Sequence, residues 1–90
     1  MAKRKKEWPE WWTWDLELSG HMQKRFLTRH FTEVDLRRMM EHATNFRKDH
    51  IKGRWIIETR FRQTTWHVIV EPLADETKLE VITAYEVTDD

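Results

Sequence analysis

Ninety residues bound the chain to one domain with a small core, and six Trp with four Phe are the large rings available to fill it. Sixteen Lys and Arg balance sixteen Asp and Glu, but unevenly: residues 1–62 hold 15 basic against 9 acidic side chains (+6), and residues 63–90 hold 1 against 7 (−6). The absence of Cys excludes a disulfide framework and a thiolate metal site, and no apolar run reaches the length of a membrane span. No apolar segment follows the charged Met1–Lys6 as in a secretory signal, so the expectation is a cytoplasmic protein that does not enter the membrane.

Residues 1–13 read as a basic, Trp-rich arm preceding a single domain over 14–88. Lys3, Arg4, Lys5 and Lys6 suit either nucleic-acid phosphate or plain solvent. The Trp of WPEWWTW suit either base stacking or the sealing of one core edge. Trp14, Leu16 and Leu18 alternate with Asp15 and Glu17, the pattern of a short half-buried strand.

Ser19 is a suitable N-cap for a first helix, which His30 closes. This helix places His21, Arg25 and Arg29 on one stripe and Met22 and Phe26 on another. An imidazole and guanidiniums at helical spacing suit anion handling and proton transfer, although such a stripe is also ordinary solvated surface. Thr32-Glu33-Val34-Asp35 resembles a capping box, with Phe31 as a staple before it. The second helix carries Leu36, Met39, Met40, Ala43 and Phe46 on one face and fades near Lys48.

Gly53 marks a turn, after which Trp55, Ile57, Thr59 and Phe61 alternate with Arg54, Ile56, Glu58, Arg60 and Arg62. A connection at Gln63-Thr64-Thr65 leads to a strand over 66–71, ended by Pro72. Leu79–Val87 is the last strand. The expected architecture is α+β: two N-terminal helices on one face of a four-stranded, mostly antiparallel sheet in the order β-α-α-β-β-β, the other face partly open.

On that open face Arg54, Arg60 and Arg62 would gather with His67, Thr83 and Tyr85, and His21 and Arg25 would join from the helix edge. A titratable base, an acid and a phosphate-holding cation are what metal-independent RNA cleavage needs. The same residues equally describe a polar sheet face with cross-strand ion pairs, such as Arg60 with Glu71. His42 and His67 have no carboxylate at metal-ligand spacing, and no P-loop, dinucleotide fingerprint or Ser-His-Asp pattern occurs, so neither metal nor cofactor is expected.

Taken in order, H-x3-R-x3-R, F-T-E-x-D-L, G-R-W-x-I-x-T-R, W-x-V-I-V-E-P and V-I-T-A-Y resemble a bacterial domain family of unknown function. That family stands near the BrnT-type and RelE-type toxins, a group similar in fold to barnase and the colicin-type ribonucleases. The similarity covers residues 14–87. It implies a RelE-like fold and a toxin-like ribonuclease, with RNA as substrate and a cognate antitoxin as partner. By position His21, Arg25, Arg54, Thr83 and Tyr85 match the family's motif residues. Together with the stripe and sheet-face readings above, the expectation is His21, Arg25, Arg54 and Tyr85 as catalytic, with Arg29, Arg60, Arg62, His67 and Thr83 holding substrate. His30 stands where relatives often carry Gly, and the Trp-rich lead-in is unusual. The alternatives are a non-catalytic RNA- or protein-binding module of the same fold, and a homodimer anchored by exposed Trp.

Overall fold

The computed structural model describes the backbone of residues 8–28 and 32–87, and the side chains of residues 8–24 and 32–87. After a 3₁₀ turn (Glu10–Thr13) come β1 (Asp15–Leu18), α1 (Gly20–Thr28), α2 (Glu33–Glu41), β2 (Asn45–Lys48), β3 (Trp55–Phe61), β4 (Thr64–Leu73) and β5 (Lys78–Val87). The strands form one sheet in the order β1-β5-β4-β3-β2.

This corrects the expected four-stranded β-α-α-β-β-β, RelE-like arrangement: the sheet has five strands. The added strand is β2, which falls where the apolar spacing continued the second helix. Thr44 and Asn45 are poor helix formers, and α2 stops at Glu41. Thr44 N–H then donates to Glu58 O at 2.8 Å, and Phe46 reaches the same core from the sheet. The pairings are antiparallel except at one edge, where β1 runs parallel to β5. Pro72 does not end β4, which continues to Leu73.

The helix starts follow their caps. Ser19 Oγ accepts from Met22 N–H at 3.0 Å and donates to Ile82 O at 2.9 Å, so one hydroxyl starts α1 and ties it to β5. Thr32 and Asp35 form the reciprocal capping box of α2. Met22, Leu36, Met39 and Met40 pack from the helices onto Ile57, Val68, Val70, Leu79, Val81 and Ala84 of one sheet face. At about 25 cal/mol per Å² of apolar surface removed from water, this layer contact is the main stabilising term.

Where α2 has ended, the lead-in covers the sheet instead. Trp8 stacks on Trp12 with centroids 4.4 Å apart and meets Phe46 at 4.8 Å, while Trp11 meets Trp55 at 5.5 Å. Residues 8–13 therefore pack on the domain itself. The basic stretch 1–7, the His30 and Phe31 features and Thr88 lie outside the described residues.

Candidate functional site

The register sorts the side chains of the second sheet face into rows, because directly paired residues point the same way. One row runs Asn45, Glu58, His67, Tyr85 across β2, β3, β4 and β5. The next is Arg47, Ile56, Ile69, Thr83. Beyond Ile69 the register shifts, leaving Ile82 unpaired as a bulge. The shift keeps Thr83 and Tyr85 on the face that also carries Glu80. Ile69 is buried yet absent from the core beneath the helices, as expected on this second face.

The first row is tied together. Arg47 pairs with Glu58, and Asn45 Nδ2 donates to Glu58 Oε1 at 3.5 Å. The rings of His67 and Tyr85 meet edge to face, 5.7 Å between centroids. Burial lowers the His67 pKa below its ordinary value, the Arg47 charge lowers it further, and Glu58 offsets part of the shift. Near neutral pH this imidazole is held neutral, ready to accept a proton rather than give one.

A flanking row carries Arg54 against Glu71, with Nε to Oε1 at 3.3 Å, and continues through Glu80 to Glu17. The cross-strand pair expected between Arg60 and Glu71 is thus made by Arg54. On this face Arg47, Arg54 and Arg60 outnumber Glu58 at β2 and β3, while Glu80, Glu17 and Asp15 outnumber Lys78, which pairs with Glu17, at β5 and β1.

The sequence-predicted residues divide between the two layers. His67, Thr83, Tyr85, Arg54 and Arg60 share the helix-free face. Arg54 and Tyr85 lie two strands apart and four residues out of register, on the order of 15 Å. Arg60 Nη2 donates to Gln63 O at 3.1 Å, and Arg62 reaches Asp35 of α2 at 3.7 Å, away from the row. His21 is exposed on α1, in the layer covering the opposite sheet face, so it does not join Tyr85 and Arg54. Arg29 and the Arg25 side chain lie outside the described residues.

Two members of the first row, Glu58 and Asn45, and Arg47 of the next row were missed in the sequence. Glu58 was legible, since it alternates with Ile56 and Arg60 on the polar side of β3. Asn45 and Arg47 were hidden by the helical reading of their segment. Among the described residues no group of three or more His, Asp and Glu side chains could hold a metal ion. No described helix is long and apolar enough to cross a membrane. Comparison with family models, curated proteins and solved structures gives no match to this chain.

Proposed function

We propose that the helix-free sheet face is a metal-independent RNA-cleaving site centred on His67. The observation that carries this is the single cross-strand row that sets Glu58, His67 and Tyr85 side by side, with Arg47 paired to Glu58. In this reading neutral His67 takes the proton of a ribose 2′-hydroxyl. The freed O2′ attacks the adjacent phosphorus and the P–O5′ bond breaks. The Tyr85 hydroxyl gives its proton to the departing O5′, and the proton held by His67 then passes through solvent to the Tyr85 oxygen, restoring both groups and leaving a 2′,3′-cyclic phosphate and a 5′-hydroxyl. Arg47 offsets the charge that builds on the phosphoryl oxygens, and Glu58 positions Arg47.

This moves the proton chemistry from His21 to His67, and the two assignments separate cleanly. Incubating the purified protein with total RNA and a short single-stranded oligonucleotide, with and without chelator, should yield cyclic-phosphate ends. His67→Gln should lower cleavage by at least about 100-fold, the usual scale for one acid–base group. His21→Ala should leave it unchanged. Loss of activity in His21→Ala with His67→Gln active would refute the assignment, and no cleavage by the wild-type protein would refute the nuclease reading.

A second reading has its own support: Arg47 and Arg54 are each engaged by a carboxylate. Such a face suits a non-catalytic module whose ion pairs exchange for a partner's. Binding without cleavage, unaffected by His67→Gln and weakened by Arg47→Gln, would favour it.

A further inference from the structure

On the helical side of the sheet, away from the proposed catalytic row, a cleft of about 240 Å³ opens between α2 and the Trp-rich lead-in. Trp12, Trp14, Leu16 and Met40 supply its apolar wall, and Arg37 and Glu41 its polar edge. We propose that this cleft binds an organic cation, specifically an ammonium head group of the trimethylammonium type.

Three observations converge on that ligand. Two indoles line the cleft, and Trp14, which packs against the core, makes no aromatic ring contact among the described residues. Indole is the side chain that attracts a cation most strongly. The charge at the rim is also uneven. Arg37 is engaged by Glu33, Nη2 to Oε2 at 2.8 Å, whereas Glu41 makes no ion pair or hydrogen bond among the described residues. The Arg37 charge at the rim is thus offset by Glu33, which lies outside the lining, while Glu41 places a carboxylate at the edge of the opening. Finally, the volume is below the roughly 300 Å³ at which drug-sized pockets begin, which suits a compact head group. The soft Met40 thioether and the Leu16 side chain would enclose the methyl groups.

The test uses the whole chain and compares choline with 3,3-dimethylbutan-1-ol, which has the same shape without the charge. Indole N–H resonances, assigned with Trp12→Phe and Trp14→Phe, report occupancy at matched ionic strength. Choline should shift the Trp12 and Trp14 signals and bind roughly 3- to 30-fold more tightly than the neutral isostere. Glu41→Gln should weaken choline binding up to about fivefold, and Arg37→Gln should strengthen it by a similar factor. A merely structural role for these exposed residues would not produce opposite changes. A peptide carrying trimethyllysine separates the sources of the head group: tighter binding than choline identifies a protein side chain, weaker binding a free small molecule. Equal binding of the neutral isostere, or no shift at either indole, would overturn the proposal.

Discussion

Arg62 and Gln63 sit at φ of 52° and 69° and form the two-residue connection between the paired Phe61 and Thr64. Positive φ at both central positions is the type I′ geometry, which matches strand twist but disfavours residues with a Cβ. The sequence placed this turn one residue late because no Gly marks it. Gln63→Gly should raise unfolding free energy by about 0.5–1 kcal/mol in urea titration, keeping the Arg60 bond to the Gln63 carbonyl. At His67 the folded state holds the imidazole pKa below the ordinary value of about 6.5. The unfolded chain therefore binds the proton more readily. The His67 contribution is complete above that ordinary value and is lost as pH falls through the lower folded one. His67→Gln should flatten the acid side of the stability profile, measured by thermal melts from pH 7.5 to 4.5. Cleavage should rise with pH over the same window and level off near neutrality.

At the scale of elements, Thr59 links the layers. Its buried Oγ1 donates to the Met39 carbonyl in the last turn of α2. Thr59→Val preserves shape and β propensity but removes that donor, and should cost about 1–2 kcal/mol by chemical denaturation. The alternation that put Thr59 on the inward face of β3 was readable from the sequence, as were both helix starts, because Ser19 and the Thr32–Asp35 pair are local chemistry. The end of α2 was not readable. Leu36, Met39, Met40, Ala43 and Phe46 keep helical spacing, yet Phe46 belongs to a strand that pairs with Ile57 across a turn, which the spacing does not reveal. The same cross-strand pairing decides the candidate site. His67 and Tyr85 were found as side chains on β-rich segments, while Glu58 and Arg47 acquire meaning only once β2, β3 and β4 are in register.

For the molecule as a whole, the Trp lead-in completes a helical layer too short to cover five strands. Phe46 and Trp55 lie 5.7 Å apart, with Trp8 and Trp11 against them. Trp11→Ala should cost about 3 kcal/mol, read from the urea midpoint. Against the 5–15 kcal/mol of an ordinary domain that is a large share. The sheet order also sets β1, whose Asp15 and Glu17 come from the basic part of the chain, beside β5, giving a gradient from a basic β2–β3 edge to an acidic β1–β5 edge. This favours phosphate at one end of the face only, and any RNA binding should weaken steeply between 50 and 200 mM salt.

The parallel edge pair joins segments 63 residues apart, as the Ser19–Ile82 bond also does. Leu16 and Leu18 thus have no strand to lie beside until residues 78–81 have left the ribosome. The meander can zip up by short-range steps, whereas the earliest-made strand must wait for the latest. Synthesis from the amino end therefore leaves Leu16 and Leu18 of β1 without a neighbouring strand for longer than any other strand of the sheet, whereas the indoles before them meet Phe46 and Trp55 much sooner.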